Sequence, residues 1–352
     1  MNEKNYVIID EKSISYNIKN IAKLIAPKKL YIVCKSDNYG LGSSVIPLLK
    51  KNDDNISGYC VSNLGEAIQL RKVGILKPII ILGIIDVIND LDKIRHFNFE
   101  FVIPNLAFFK LLEVEDYKLA HLALDVGLGR IGITDKKELD EIISIIKKHD
   151  IKLKGIYTHH SSTDKKVLEF ECEKMNNYLI DINEIADSYH SGSSSSIPFM
   201  LDRGSIYRVG AAIFGMSQEN IGISSKAVAK LTSEVIYVKE VYKGCFIGYN
   251  SDFECPEKGW VVNIPLGYGD GFSSRMKNFE VEVENQIGIV ASVCMNQTMI
   301  FVKEKPKLND IVILIGTGNT CRNSLFDMTQ HLGIANDELF CQLSNKITRK
   351  VR

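Results

Sequence analysis

The sequence predicts an α/β protein that combines a (β/α)8 TIM barrel with a C-terminal antiparallel β domain. Strand-like and helix-like segments alternate through the first two-thirds of the chain. After about Ala229, short strands follow one another with almost no helical periodicity. The length of 352 residues is too great for one ordinary core and suggests two domains, or a barrel with an appendage.

Eight short apolar segments are candidates for the barrel strands. They lie at residues 30–34, 58–61, 78–82, 100–103, 119–124, 154–158, 189–191 and 207–213. Amphipathic segments lie between them, and in Lys136–Lys148 the residues Leu139, Ile142 and Ile146 recur at helical spacing. Eight strands that alternate with helices over about 200 residues indicate a closed parallel barrel. We therefore expect the barrel to occupy residues 11–228.

The remainder of the chain, residues 229–352, is predicted to form the antiparallel β domain. Its strand candidates lie at residues 231–241, 260–266, 279–283, 287–293, 298–301 and 310–315, and one helical segment follows at 326–331. A further strand at residues 6–9 precedes the first barrel helix. We expect residues 1–10 to join the β domain.

Composition limits the classes of partner. Basic and acidic residues are equal in number, 43 of each, so no net charge favours nucleic acid or an anionic membrane. The longest apolar stretch, residues 78–85, is far shorter than the ~20 residues of a membrane-spanning helix. The eight cysteines are scattered and form no metal-binding motif. We expect a cytoplasmic protein, or the cytosolic domain of a longer membrane-bound one, with no metal and no membrane contact of its own.

Lys35 is the first candidate for chemistry, because it directly follows the apolar residues 31–34. In parallel α/β folds the functional groups gather at the carboxyl ends of the strands. A partly desolvated lysine at such a place holds more neutral amine and can form a Schiff base with a carbonyl group. A surface lysine at a strand end is the alternative that this segment alone leaves open.

Other strand ends supply side chains that suit a bound cofactor. The set comprises Lys35, Tyr39, Arg130, His159, Ser194, Arg208 and Gly210. The loops after the last two barrel strands commonly hold a phosphate, and here residues 193–196 and 209–211 offer hydroxyl and backbone N–H donors. A lysine combined with a late-barrel phosphate site is what pyridoxal 5′-phosphate requires.

Along nearly its whole length the chain resembles the alanine racemase family of fold-type III pyridoxal-phosphate enzymes. Seven motifs carry the resemblance, at residues 35–42 (KSDNYGLG), 125–132 (DVGLGRIG), 158–159 (TH), 207–215 (YRVGAAIFG), 248–253 (GYNSDF), 264–272 (IPLGYGDGF) and 294–299 (CMNQTM). Their order and spacing agree with the family pattern.

The resemblance implies a pyridoxal-phosphate-dependent racemase of small amino acids and a role for each motif. Lys35 would carry the cofactor, with Tyr249 as the opposing acid or base. The cofactor would be held by Tyr39, His159, Ser194, Arg208, Gly210 and Ala211, and the substrate by Arg130, Tyr268, Met295 and Asn345. The family's homodimer implies shared active sites, in which Tyr249 and Met295 of one subunit meet Lys35 of the other. Structural roles remain as alternatives for Tyr249, His159 and Met295.

Departures from the family pattern concern the substrate site and its entrance. Ala123 stands where many members have a lysine, Ser292 and Asn296 stand in place of an arginine and a carboxylate, and Asn345 replaces a tyrosine. In the last respect the chain looks like the racemase domain of the serine/alanine racemases of vancomycin-resistance clusters. That likeness implies serine or alanine as substrate and a supply of D-serine or D-alanine for cell-wall precursors and glycopeptide resistance.

Two other functions share parts of this pattern. Fold-type III amino-acid decarboxylases place a carboxylate at the pyridine nitrogen, and Arg208 argues against that class. Pyridoxal-phosphate-binding homeostasis proteins are single barrels, and the predicted β domain argues against them.

Overall fold

The computed structural model describes residues 4–182, 185–190, 196–197, 204–217 and 225–352. The first strand, β1 (Tyr6–Ile9), lies in the sheet of the second domain. The next eight strands are parallel and close into a barrel, so the predicted fold class is confirmed. In order around the barrel they are β2 (Lys29–Val33), β3 (Gly58–Val61), β4 (Ile79–Ile81), β5 (Glu100–Ile103), β6 (Ala120–Ala123), β7 (Gly155–Tyr157), β8 (Tyr189–His190) and β9 (Ile206–Val209).

Helices connect the barrel strands. Their bounds are Glu11–Ile25, Ile46–Lys51, Leu64–Lys72, Val87–Phe97, Leu106–Phe109, Lys136–Lys148 and Lys165–Ile182. Helix Lys136–Lys148 has the predicted bounds because it has both an N-terminal cap and a regular apolar face. The Asp135 side chain accepts a hydrogen bond from the Lys137 N–H at 3.1 Å, which caps the helix, and its apolar face is buried.

The second domain is built on a nine-stranded sheet with the order β11-β14-β17-β16-β15-β18-β10-β1-β19. The bounds are β10 (Ala229–Glu234), β11 (Tyr237–Val241), β12 (Phe246–Ile247), β13 (Phe253–Glu254), β14 (Gly259–Ile264), β15 (Glu280–Val283), β16 (Gln286–Val293), β17 (Thr298–Val302), β18 (Ile311–Ile315) and β19 (Thr348–Val351). Strands β12 and β13 form a separate hairpin, and the helices of this part are Leu325–Leu332 and Leu339–Gln342. Strand β1 pairs antiparallel with β10 and parallel with β19.

Some predicted strands differ from the observed ones. The predicted strand 231–241 is two strands because the chain changes partners, β10 pairing with β18 and β11 with β14. The predicted strand 207–213 ends at Val209, since the Ile213 N–H donates to the Gly210 carbonyl at 2.9 Å and closes a turn. The hairpin β12–β13 and the strand β19 were not predicted from the sequence.

Two further findings concern the described part of the chain. It contains no helix that is both long and apolar enough to cross a membrane. It also contains no group of three or more histidine, cysteine or acidic side chains that could hold a metal ion. Most of the cysteines are buried, whereas Cys245 and Cys341 are exposed.

Candidate active site

A cavity of about 530 Å³ opens at the carboxyl ends of the barrel strands. Its lining includes seven of the predicted site residues, namely Lys35, Tyr39, Arg130, His159, Arg208, Gly210 and Ala211. The structure therefore brings together the amine, both guanidinium groups, the imidazole and the glycine-containing loop. Ser194, the other predicted phosphate contact, lies outside the described residues.

Lys35 and Tyr39 reach this cavity through an unusual turn. Lys35–Tyr39 forms one helical turn in which Ser36, Asp37, Asn38 and Tyr39 have φ values between 52° and 58°. The left-handed conformation costs an L-residue roughly 1–2 kcal/mol, so four in succession need support from their surroundings. Gly40 (φ 78°) ends the turn, and its N–H donates to the Ser36 carbonyl at 2.9 Å. The turn places the Lys35 Nζ 5.9 Å from the centre of the Tyr39 ring.

Tyr39 and the loop after β9 form a cradle of hydrogen-bond donors. A Cβ atom at Gly210 would lie 2.0 Å from the Tyr39 hydroxyl oxygen, so only glycine allows this approach. No described residue accepts a hydrogen bond from the backbone N–H of Gly210 or Ala211. Burial, with a smaller contribution from Asp337, raises the pKa of Tyr39 well above its usual range, so its hydroxyl keeps its proton. Three donors at one place suit a phosphate group.

Arg208 supplies a fixed positive charge at the base of the cavity. It extends from β9, is buried, and donates a hydrogen bond to the Thr158 carbonyl. Its guanidinium carbon lies 4.7 Å from the centre of the Tyr157 ring. The Thr158 hydroxyl in turn donates to the Leu124 carbonyl at 2.7 Å. The ends of β6 and β7 thus hold this arginine in place.

His159 presents an uncharged ring to the same cavity. Burial lowers its pKa to about 3, and the positive charges of Arg208, Arg130 and Lys35 act in the same direction. A neutral imidazole suits contact with the face of an aromatic cofactor. The neighbouring His160 is the buried histidine with a structural partner, since its Nδ1 lies 3.0 Å from a Glu171 carboxylate oxygen.

The low pKa of His159 leads to a testable dependence of stability on pH. In the unfolded chain a histidine binds a proton below about pH 6.5, whereas His159 in the folded protein does so only near pH 3. The free energy of unfolding should therefore fall as the pH is lowered between these values. His159→Asn should reduce this dependence when urea unfolding of the cofactor-free protein is followed at several pH values. Buried His190, whose pKa is also lowered, should retain its own share. If replacement of the exposed His96 by asparagine has the same effect, the explanation is wrong.

Arg130 lies at the rim of the cavity with its side chain exposed. Its backbone N–H and that of Gly127 donate to the two Asp125 carboxylate oxygens, each at 2.9 Å, which fixes the loop. Within the described ranges, no acidic side chain forms an ion pair with its guanidinium. Ala123, which replaces the family's lysine, is fully buried. The guanidinium is thus available for a carboxylate, which arginine binds in a bidentate manner.

The predicted site residues of the β domain do not line the cavity of their own chain. Tyr249 is 77% exposed, Met295 58% and Tyr268 49%, so none of them is a core residue. Backbone hydrogen bonds join the segments of Tyr268 and Met295, the Gly269 N–H donating to the Met295 carbonyl at 2.8 Å. A Cβ at Gly248, next to Tyr249, would lie 2.6 Å from Ser292, which belongs to β16, the strand that leads into the Met295 segment. We call these three exposed side chains the β-domain patch.

Asn345 is exposed and lies in the bend that precedes β19. The preceding residue, Ser344, donates its N–H to the Asp270 carbonyl at 2.9 Å. Asn345 does not line the cavity itself. Arg349 joins its segment to the turn of Lys35, because it donates hydrogen bonds to the carbonyls of both Ser344 and Gly40.

Several cavity residues were not identified from the sequence. Ser161, Ser162 and Thr163 continue the polar run after β7, and that run is a signal that could have revealed them. Leu82 directly follows β4 and carried no chemical signal. Asp337 comes from the β domain, and only the packing of that domain against the barrel places it at the cavity.

Comparisons with known proteins agree with this geometry. Residues 9–218 match the family described as alanine racemase, N-terminal domain, and residues 228–351 match alanine racemase, C-terminal domain. The alanine racemase of Lactococcus lactis subsp. lactis is 31% identical over 97% of this chain and 96% of its own length. That of Ligilactobacillus salivarius is also 31% identical, with the same coverage.

Solved structures give the same result. The alanine racemase from E. faecalis has a TM-score of 0.91 and 26% identity, and the match covers 99% of this chain and 98% of that one. A histidine racemase from Leuconostoc mesenteroides has a TM-score of 0.89 at 21% identity over 99% of this chain and 98% of its own, which shows likeness of fold alone. The chain therefore belongs to the alanine racemase family, whose enzymes are pyridoxal 5′-phosphate-dependent amino-acid racemases.

Proposed function

We propose that this protein interconverts the L and D forms of serine and alanine, and that it supplies D-serine or D-alanine for cell-wall precursors and glycopeptide resistance. The observation that carries the proposal is that Lys35, Arg208 and the hydrogen-bond donors at Tyr39 and Gly210 line one and the same cavity. An amine, a fixed cation and a phosphate-sized set of donors are the groups that a pyridoxal 5′-phosphate racemase needs.

The residues present fit this cofactor. The Tyr39 hydroxyl and the N–H groups of Gly210 and Ala211 would hold the phosphate, Lys35 would bind the aldehyde carbon, and the neutral His159 ring would contact the pyridine ring. The bound cofactor supplies an electron sink for proton removal from the substrate Cα. Arg208 would face the pyridine nitrogen, and its permanent charge opposes protonation there. That limits electron withdrawal into the ring and with it side reactions such as transamination.

Inversion at Cα requires an acid and a base on opposite faces of the substrate. The Lys35 amine would hold or release the proton on one face. We propose that the partner's Tyr249 serves the other face, since in one chain this tyrosine is on the surface rather than in the cavity. The β-domain patch would then pack over the cavity of a second copy, with Met295 and Tyr268 closing the site and excluding water.

Arg130 would bind the substrate carboxylate, and Asn345 would allow serine to be used. A tyrosine at this position would leave the serine hydroxyl crowded and without a partner, which costs on the order of 1–3 kcal/mol. Asparagine is smaller and offers both a donor and an acceptor. Its neighbour Ser344 is tied to the turn of Lys35, because Arg349 donates to the Ser344 carbonyl at 2.6 Å and to the Gly40 carbonyl at 3.1 Å.

Asn345→Tyr should lower kcat/KM for serine about tenfold more than for alanine, because the hydroxyl loses its partner. Initial rates with both L-amino acids, followed by chiral chromatography, measure the difference. Lys346→Tyr is the matched control, since it introduces the same side chain at the next exposed position. Equal losses for the two substrates, or an unchanged rate with serine, would show that Asn345 does not set specificity.

The activity itself is tested by chiral analysis of the products from a panel of L-amino acids in deuterated water. We expect D-serine and D-alanine to form with deuterium at Cα. Cofactor absorbance without exchange would indicate a carrier protein, and release of CO₂ would indicate a decarboxylase. Either result would exclude the proposed function.

A further inference from the structure

We infer that Glu66 and Arg349 are positioning residues for Lys35, each holding one end of the left-handed turn Lys35–Tyr39. This inference rests on the proposed function, in which Lys35 binds the cofactor. The four left-handed residues of the turn are unfavourable on their own and persist only where the surrounding structure holds them. Two side chains distant in the sequence supply such contacts.

Glu66 holds the start of the turn. One carboxylate oxygen accepts a hydrogen bond from the N–H of Ser36, the residue after Lys35, at 2.7 Å. The other accepts from the N–H and the hydroxyl of Ser62, both at 2.8 Å. Glu66 is itself fixed near the start of helix Leu64–Lys72, where its N–H donates to the Asn63 side chain at 3.0 Å. The carboxylate therefore ties the turn to the end of strand β3.

Arg349 holds the end of the turn from the β domain. Its Nε and Nη2 atoms donate to the Gly40 carbonyl at 3.3 and 3.1 Å. The remaining N–H groups donate to the carbonyls of Leu343, Ser344 and Ile347. All five guanidinium N–H groups thus have backbone acceptors, four carbonyls in total. This one side chain connects the turn to the segment that contains Asn345.

Close packing at Gly40 adds to this connection. A Cβ at Gly40 would lie 2.2 Å from the Phe340 carbonyl oxygen, so the backbone of helix Leu339–Gln342 lies directly against the turn. We call Glu66 and Arg349 the anchors of the turn. Loss of the contacts of either anchor should let the turn relax toward right-handed or extended backbone. Both Lys35 and Tyr39 would then shift relative to Arg208 and Gly210, which lie on and directly after the neighbouring strand β9, and the cofactor would bind more weakly.

Conservative variants with matched controls can separate positioning from general stability. Glu66→Gln keeps the size of the side chain but has one acceptor oxygen, and Arg349→Lys keeps the charge but has one nitrogen. Glu138→Gln is the control for the first, since Glu138 accepts from the Leu106 N–H at 2.7 Å in the same manner. Arg71→Lys is the control for the second, because Arg71 donates to the carbonyls of Ile75, Lys77 and Phe97 and does not line the cavity.

The measurements are the dissociation constant of pyridoxal 5′-phosphate for the cofactor-free protein, the rate of its attachment to Lys35 followed by absorbance, and Tm. Each anchor variant should raise the dissociation constant about tenfold, since it loses at least one charge-assisted hydrogen bond that supports the site. The two controls should change Tm by a similar amount and leave cofactor binding unaltered. The double variant should be less than additive, because both anchors act on one turn.

The results distinguish the possible failures. Anchor variants that lose stability as the controls do, yet bind and attach the cofactor like the wild type, would overturn the positioning role. Full additivity in the double variant would show that the two residues do not act on a common turn. A wild-type protein in which the cofactor attaches at a residue other than Lys35 would contradict the proposed function itself.

Discussion

Lys35→Ala is expected to abolish both racemisation and covalent attachment of the cofactor. The substitution removes the cavity's amine, which serves as the cofactor-binding group and as the acid or base on one face of the substrate. Loss of a general base alone typically costs about 10²–10⁴-fold, and loss of the covalent anchor adds to this. We expect a decrease in kcat/KM of at least about 10³-fold for L-alanine and L-serine.

The measurement is borohydride reduction of the holoenzyme followed by peptide mapping. In the wild type the phosphopyridoxyl group should be found on Lys35. Lys29→Ala is the matched control, because Lys29 is exposed at the opposite end of the same strand, β2. This variant should retain the label and the activity. A label on another lysine, or a Lys35→Ala protein that still racemises, would contradict the assignment.

The positions of the cavity residues could be predicted because they depend on local pattern. Strands of a parallel barrel are buried on both faces and appear as short apolar runs, so their carboxyl ends can be located within a few residues. Lys35, His159 and Arg208 were identified in this way, and the structure places all three at one cavity. Ser161, Ser162 and Thr163, which follow β7, also line the cavity, so the carboxyl end of this strand supplies site residues beyond the predicted His159.

The conformation of the Lys35 turn could not be predicted from its sequence. Four left-handed residues in succession have no sufficient local signal, and their support comes from elsewhere in the chain. Ser36 and Glu66 are 30 positions apart, and Gly40 and Arg349 are 309 positions apart. Likewise, strand β19 was not predicted, because its partner β1 lies at the other end of the sequence. Such features depend on tertiary contacts, and the periodicity of the sequence does not reveal those contacts.

Tyr249 is exposed on the surface of its own chain. Its exposure in one chain is expected for a side chain that acts in the site of another copy. The four predicted residues of the β domain share this property, for none of them lines the cavity of its own chain. A half-site composed of barrel residues and a half-site composed of the β-domain patch would complete each other in a symmetric dimer.

Mixing two inactive variants, Lys35→Ala and Tyr249→Phe, should therefore restore racemase activity. In a mixed dimer, the intact Lys35 of one subunit would face the intact Tyr249 of the other, while the second site would carry both substitutions. Random exchange of equal amounts makes half of the dimers mixed, so about a quarter of all sites should become active. Activity is followed after co-incubation under conditions in which native mass spectrometry shows that subunits exchange.

A control for this experiment is a mixture of Lys35→Ala with Arg208→Ala. Both residues line the same cavity of one chain, so every site in a mixed dimer has one defective barrel half-site and activity should not return. Tyr249→Phe removes only the hydroxyl group, so the surface it presents to a partner is nearly unchanged. Recovery with Tyr249→Phe but not with Arg208→Ala would support a site built from two subunits. Exchange without recovery in either mixture would show that Tyr249 does not act in the partner's cavity.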